Sequence, residues 1–413
     1  MQALARYTGA GVKASAATLA GLTVTLFLLE GCGGGIHDDT AAVQRAVDHG
    51  GVVRFDARTY YLSRTIVIRH SNTVIQGAGP QTIFRYQASV IRQHCANDRV
   101  FTTTCEVEDK PPRRIANAIS IGDRSFVATA DVSDLLPGDW LLITDIDSVI
   151  GDRVVADWIQ VDSALDHVVH VRTPFRTAFT NVRAWNPGHS GLGFQRIVPL
   201  VENTEFRNFT ISVPDAGPHA AAVGISVFVA LHTTIDHVVS DSFNAQPLYS
   251  YLSKDLSITN SEGRGDGILS EFAATVDLTV QGSRFSEANA AALGLDLGTA
   301  FFDVSDNDIE KSRNVGAYLL YGVHDGKFHG NQIAFVGTST SDYNAHGILA
   351  WGNQNIVIST NYLAGGAGPK STGMSVRSSA GEIEIPSVNV KLLGNTFGSG
   401  WALDYEAGTQ PGP

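Results

Sequence analysis

Sulfur and charge are both scarce in this chain. Its 413 residues hold three cysteines, Cys32, Cys95 and Cys105, and two methionines, and no spacing among the cysteines suits zinc. Charged residues make up 17% of the sequence, and 29 bases stand against 41 acids for a formal net charge of −12. Phosphate recognition leans on Lys and Arg, so nucleic acid is not an expected partner. An acidic glycan stays open, because a local basic groove can sit on an acidic protein. No Gly-x-Gly-x-x-Gly precedes a helix, and neither a phosphate loop nor a His-Glu-x-x-His pair occurs, so no cofactor is expected. The acidic stretch with Asp303, Asp306 and Asp308 lacks the spacing of a calcium loop. Calcium is therefore chemically possible but unsupported by a motif, and no metal site is expected. So few charges also leave little material for long solvated helices, whereas 42 glycines suit a chain with many tight turns.

The apolar run from Ala16 to Leu29 is too short for a comfortable membrane span. With Arg6 and Lys13 ahead of it, residues 1–31 read as an export signal. The segment ends Leu29-Glu30-Gly31-Cys32 before three glycines, which resembles a bacterial lipoprotein signal. That resemblance implies lipidation of Cys32, a membrane partner through the N-terminal anchor, and a periplasmic or cell-surface lipoprotein; ordinary cleaved secretion is the alternative. An oxidising destination predicts a disulfide between Cys95 and Cys105, with two reduced thiols as the other option.

What is abundant is short β-structure. Asp38, Asp39 and Thr40 offer a cap for one amphipathic helix, whose Ala42, Val43, Ala46 and Val47 recur at helical spacing until Gly50-Gly51. After it come brief runs such as Val52 to Phe55, Tyr60 to Leu62 and Thr65 to Ile68, with no second helix between them. From about residue 237 onward a pattern repeats: a short strand, a small polar residue, a loop of variable length, and a second strand usually opened by Gly. The polar position runs Asp241, Ser261, Ser283, Asn307, Asn331, Asn361 and Asn395. Stacked amides of this kind satisfy peptide groups at a buried bend, since an amide donates and accepts at once. Piling the repeats also gives each strand neighbours on both sides, and the opening helix then caps the apolar end.

The stretch from Asp38 to about residue 84, DDTAAVQRAV…GGVVRF…RTYYLSRTIVI…NTVIQGAG, resembles the N-terminal signature of the pectate-lyase-like superfamily, in particular its rhamnogalacturonase/epimerase-type domain. The Asn column resembles the asparagine ladder of right-handed parallel β-helices. The resemblance implies an all-β fold, a right-handed parallel β-helix with an N-terminal capping helix. It is less specific for reaction, because that superfamily holds lyases, hydrolases, epimerases and phage depolymerases. Four segments follow: 1–35 as leader and linker, 36–95 as capping helix and first coils, 96–200 as a β-rich insertion, and 201–413 as the main helix. The insertion alternates like antiparallel β-structure, with turns at Pro137-Gly138 and Asp166-His167. Trp140 and Trp158 within it read as packing residues.

Same-phase residues of stacked coils form columns about one strand spacing apart. Aligning the Gly-opened strands predicts one outward column of Ser226, Tyr249, Leu269, Asp296, Tyr318, Leu349, Ser375 and Ala402. A second holds Phe228, Tyr251, Glu271, Gly298, Leu320, Trp351, Arg377 and Asp404. An exposed strip of Tyr249, Tyr251 and Trp351 suits the apolar faces of sugar rings. Glu271 and Asp296, on adjacent coils but two residues out of phase, have the arrangement a glycoside hydrolase needs of its acid and its nucleophile or base. Asp266, at the mouth of the Glu271 strand, is a third candidate acid. Elimination from a uronate would instead use Arg264, Arg313 or Arg377 to neutralise the carboxylate, and Tyr318 or His346 as base or acid. The paired Asp and Gly-His-Gly set of polygalacturonase-type hydrolases is not reproduced. The expectation is an exported protein that binds and cleaves a polysaccharide along one face, by lyase or hydrolase chemistry, with a non-catalytic glycan-binding or structural β-helix as the alternative.

Overall fold

A computed structural model describes residues 24–25, 37–87, 98–103, 113–147, 152–179, 190–198, 200–213, 222–242, 246–265, 270–334, 336, 346–364, 372–378, 385–398, 401 and 403–405. Cys32, Cys95, Cys105 and Asp266 lie outside the described residues. The helix forms over Thr40–Val47 and buries Val43, Ala46 and Val47. Its cap is shared differently from the expectation: the Thr40 amide donates to Asp38 Oδ1 at 2.9 Å. The Asp39 carboxylate is turned inward, accepting from the Tyr61 amide at 2.9 Å and from Arg58 at 3.2 Å. Gln44 then does what a neighbouring strand would do. Its side-chain amide donates to Val67 O and accepts from Val67 N, both at 2.9 Å, closing the open edge of the first strand of one sheet.

Beyond the helix the strands stack as parallel coils in two sheets, one of 19 strands and one of 10. Each coil contributes one strand to the 10-stranded sheet, then bends into two strands of the larger one. The bends follow a rule. After the 10-stranded sheet comes a residue with positive φ: Val229 (47°), Leu252 (52°), Ala274 (47°), Leu297 (49°) or Tyr321 (54°). At the next bend Asn260 (48°), Gly282 (60°), Asp306 (56°), Gly330 (65°), Thr360 (53°) and Gly394 (60°) take the same conformation. The residue after each of these is the stacked polar one. Left-handed backbone costs most residues about 1 to 2 kcal/mol, so the stacked side chains must hold it in place.

They do so by a continuous ladder. The amides of Ser283, Asn307, Asn331 and Asn361 donate to the side chains of Asn307, Asn331, Asn361 and Asn395 at 2.9–3.0 Å. Each Asn side chain also donates to a backbone carbonyl, Asn331 to Val304 O at 3.0 Å for example. One member of the expected column is corrected: Asp241 pairs in register with Arg264, and the Val238 amide donates to Ser261 Oγ, so Val238 holds the ladder position. A second ladder, not foreseen, lines the other bend. The Thr275 amide donates to Thr299 Oγ1 at 3.3 Å, and Asn353 Nδ2 donates to Leu319 O at 3.0 Å. Inside the prism lies one apolar column, with Phe55, Phe84, Phe101, Phe206 and Phe209 crowded under the cap and Ile, Leu and Val above them. The glycines that open strands are explained by stacking: a Cβ on Gly316 would stand 2.6 Å from Gly347 O, and one on Gly347 would stand 2.6 Å from Gly373 O.

Residues 113–196 contribute a separate six-stranded antiparallel sheet, with its own core around Phe126, Phe175, Phe179 and Phe194. The expected start of the insertion at 96 is corrected, because Asp98–Thr103 pairs in parallel with Ile66–Ile68 and with Ala222–Phe228, as a rung of the 10-stranded sheet. The insertion sits against the prism through Leu142, Ala156 and Trp158, which pack on Val229, Leu252, Ala274 and Val276. Trp140 meets Trp158 edge-on at 6.4 Å, so both act in packing. Around this contact Arg176 donates twice to Asp277, at 2.6 and 2.9 Å.

Candidate functional site

The outer face of the 10-stranded sheet carries the groove residues, and hydrogen-bond register fixes which of them are neighbours. One column runs Thr102, Ser226, Tyr249, Glu271, Gly294, Tyr318, Leu349 and Ser375. The next runs Phe228, Tyr251, Ala273, Asp296, then Leu320, Trp351 and Arg377. Three coils of the expected columns are therefore corrected by two residues, those of Glu271, Asp296 and Asp404, the last of which pairs with Ser375 and not with Arg377. Glu271 belongs with Tyr249 and Tyr318, and Asp296 belongs with Tyr251 and Trp351. The expected relation between the two acids survives the correction, because Glu271 pairs with Gly294 and Asp296 lies two residues further on. Their Cα atoms are thus about 8 Å apart, from one strand spacing across and two residues along.

Gly294 is what lets the centre of the groove close. It leaves no side chain on the rung between Glu271 and Tyr318, so the Glu271 charge acts on the Tyr318 hydroxyl across the gap. Glu271 also accepts a hydrogen bond from Gln246 Nε2. Asp296 is 7% exposed, and its Oδ1 accepts the Leu297 amide at 2.7 Å. Burial pushes the Tyr318 hydroxyl well above its ordinary value, and the charges of Glu271 and Asp296 push the same way. Burial likewise raises Tyr321, with Asp296 adding to it. Two carboxylates and the Tyr318 phenol are thus neighbours in mid-groove, with Tyr321 within reach of the Asp296 charge.

On the N-terminal side lies an aromatic ladder. Tyr249 and Tyr251 are near-parallel at 6.5 Å between ring centroids, and Phe228 stacks on Tyr251 at 5.6 Å. Phe228 and Tyr251 rest on the Trp158 cluster, so the insertion braces the ladder from behind. Arg99 closes this end. Its guanidinium carbon is 5.6 Å from the Phe228 ring centroid and 6.0 Å from that of Tyr249. On the C-terminal side Trp351 donates from Nε1 to Ser375 Oγ at 3.2 Å. His346 is buried, shares a hydrogen bond with Thr372 Oγ1, and meets Trp351 edge-on at 6.4 Å.

The arginines divide. Arg377 stands beside Trp351 on the groove face. Arg264 lies in the 19-stranded sheet, donating twice to Glu262 at 2.7 Å, so it is removed from the groove set. Arg313 is exposed in the turn before Val315–Leu320, its amide bonded to Ala288 O at 2.9 Å. Sequence reasoning missed Arg99, Gln246 and Tyr321. Arg99 was hidden by the assignment of residues 96–200 to the insertion; the apolar pair Val100-Phe101 followed by three threonines was the available signal. A concavity of about 550 Å³ lies elsewhere, on the larger sheet, lined by Asp255, Asp277, Asp303, Asp325 and Lys327. Among the described residues no group of three or more His, Cys, Asp or Glu is placed to hold a metal ion.

No family model matches the chain, and no curated protein does. Solved structures do. The tailspike gp61 of Pseudomonas phage phi297 is 13% identical with a TM-score of 0.54, covering 90% of this chain and 71% of that one. The gp54 tailspike of Acinetobacter baumannii bacteriophage AP22, solved in complex with A. baumannii capsular saccharide, is 12% identical with a TM-score of 0.52, over 90% and 70% of the two chains. The Streptococcus pneumoniae surface protein and adhesin PfbA is 15% identical with a TM-score of 0.51, over 90% and 94%. At such identities the likeness is one of fold. These are right-handed parallel β-helices, and this chain has the same fold, in keeping with the pectate-lyase-like resemblance of its opening segment.

Proposed function

We propose that the chain binds a polysaccharide along the outer face of the 10-stranded sheet and hydrolyses it in mid-groove, as an exported protein. The observation that carries this reading is the meeting of Glu271, Asp296 and the Tyr318 hydroxyl around the empty rung at Gly294. Glycoside hydrolysis needs one carboxyl group to protonate the leaving oxygen and a second to act as nucleophile or base. Glu271, already accepting a hydrogen bond from Gln246, takes the role of the ionised partner. Asp296, the more buried of the two, takes the role of proton donor. Tyr318 stays a neutral phenol at physiological pH, which suits a hydrogen-bond donor and argues against a base that removes a C5 proton. Elimination chemistry is the less favoured reading for that reason. The ladder of Phe228, Tyr249 and Tyr251 on one side and Trp351 on the other offers ring faces to successive sugars. One neighbour of the same fold is a tailspike in complex with a capsular saccharide, which supports a glycan as the partner. Lipidation at Cys32 would tether the protein to a membrane, and the leader supports that proposal.

The test is to incubate the purified chain with acidic and neutral polysaccharides, following reducing ends together with the ultraviolet absorbance of unsaturated uronates. Hydrolysis raises the first alone, and Glu271→Gln or Asp296→Asn each lowers turnover by about a hundredfold or more. A rise in absorbance would assign elimination instead. Binding without either signal would assign the non-catalytic glycan-binding role.

A further inference from the structure

We propose that Arg99 and Ser226 form a subsite for an oxyanion carried by the glycan, a carboxylate or a sulfate, at the N-terminal end of the groove. The inference rests on the groove reading above and narrows its substrate class to an anionic sugar.

Arg99 stands on the strand Asp98–Thr103, and the rungs beside it run Thr102, Ser226, Tyr249. Its Nη1 donates to Thr102 Oγ1 at 3.4 Å, while its guanidinium carbon reaches toward the Tyr249 and Phe228 rings. The side chain therefore extends from the Thr102 rung to the Tyr249 rung, with Ser226 between them. Arg99 is 6% exposed, and among the described residues no carboxylate forms an ion pair with it. Its Nε has no acceptor, and neither does the fully buried Ser226 hydroxyl. Two polar atoms left without partners, Arg99 Nε and Ser226 Oγ on adjoining strands, are costly, the one on the cation most of all. An oxyanion entering beside them would remove both costs together.

The ligand chemistry follows from the donors. A guanidinium presents a planar fork that fits a carboxylate or sulfate through two parallel hydrogen bonds, and a serine hydroxyl supplies a third. The half-buried rings of Phe228, Tyr249 and Tyr251 continue from that point toward Glu271 and Asp296, so a sugar held by its anionic group would lay its next residues along the ladder. Among the described residues the other cation on the groove face, Arg377, lies beyond Trp351 at the opposite end. Anion selection therefore falls on Arg99.

The experiment uses the full chain, wild type, Arg99→Met and Arg99→Lys. Thermal unfolding is followed in acetate, in sulfate and in chloride at equal ionic strength, which separates the carboxylate from the sulfate. Calorimetry then compares hyaluronan, chondroitin sulfate and dextran oligosaccharides. Acetate or sulfate should raise the wild-type Tm over its value in chloride by more than it raises that of Arg99→Met, which reports the general salt effect alone. Anionic oligosaccharides should bind the wild type about tenfold or more tighter than dextran, a preference that Arg99→Met erases. Arg99→Met should itself fold with an equal or higher Tm, because it removes a buried unpaired charge, and Arg99→Lys should keep part of the preference. A lower Tm for Arg99→Met with the anion preference intact would make Arg99 a packing residue and overturn the subsite. Saccharide binding with no anion preference would also overturn it and leave the groove reading standing. Anion stabilisation without any saccharide binding would do the reverse.

Discussion

Tyr318 concentrates what single residues contribute here. Its hydroxyl lies among two carboxylates in a buried place, so its ionised form is disfavoured by desolvation and by charge at once. Spectrophotometric titration should show a tyrosine that ionises last, later than the moderately raised Tyr60 and Tyr321, and that is absent from the Tyr318→Phe variant. The sign for stability is the one for an acid raised on folding: the native state keeps a proton that the unfolded chain gives up above about pH 10, so Tyr318 lowers stability as alkalinity rises past that point. Tyr318→Phe should flatten that alkaline decline and reduce turnover by about tenfold, less than loss of either acid, because it removes a polar neighbour of Glu271 and not a reacting group. The types of residue at the groove centre were legible from the sequence, since polar and aromatic side chains gathered at outward positions of the middle coils. Their partners were not. Glu271 was placed beside Trp351 and Asp296 beside Tyr318, the reverse of the observed columns.

At the scale of the element, the reason for that slip is physical. Strand side chains alternate with a period of two, so a register error of two residues leaves every side chain on its proper face while changing all its neighbours. Alignment on the opening glycines anchored the strands at their N-terminal ends, where loops of different length enter. The fixed point is the other end, the left-handed residue at Leu252, Ala274, Leu297 and Tyr321. Counting one residue back from each gives Tyr251, Ala273, Asp296 and Leu320, the observed column. The Asn ladder was legible because its amides recur at the one bend where loop length does not vary, and the hydroxyl ladder was hidden because Ser and Thr are too common to stand out. Asn331 is the test of what a ladder rung contributes. Its side chain accepts from the Asn307 amide at 3.0 Å and donates to Val304 O and to Asn361 Oδ1, both at 3.0 Å, all of it buried. Asn331→Ala leaves those backbone groups without partners and should cost about 2 to 4 kcal/mol in chemical denaturation. Thr360→Ala, beside the next rung, serves as the mild control.

For the whole molecule the question is how the antiparallel insertion and the parallel prism hold one another, since the aromatic ladder leans on their contact. The apolar middle of that contact, Leu142 and Trp158 against Val229, Leu252 and Val276, excludes water from the acid beside it. Asp157 is 2% exposed, its Oδ1 accepting the Trp158 amide at 2.8 Å and lying 3.9 Å from Arg176. Burial pushes its carboxyl up, and the more distant charges of Arg176 and Lys254 only partly offset this. For Asp277 burial also pushes upward, but direct hydrogen bonds from Arg176 and Lys254 outweigh it and the carboxyl ends below its ordinary value. The two acids therefore pull stability in opposite directions with pH. With Asp157 raised, the native state holds a proton that the unfolded chain releases near pH 4, so stability falls as pH climbs from there through the folded value. With Asp277 lowered, its contribution is present above about pH 4 and disappears as pH drops through the folded value. Thermal unfolding across pH should accordingly show Asp157→Asn gaining on the wild type toward neutrality, and Asp277→Asn losing to it there, with both differences shrinking in acid. If the ladder is held by this contact, Asp277→Asn should also weaken glycan binding at neutral pH by several-fold while leaving Glu271 and Asp296 in place, a dependence that calorimetry on the same pH series would register.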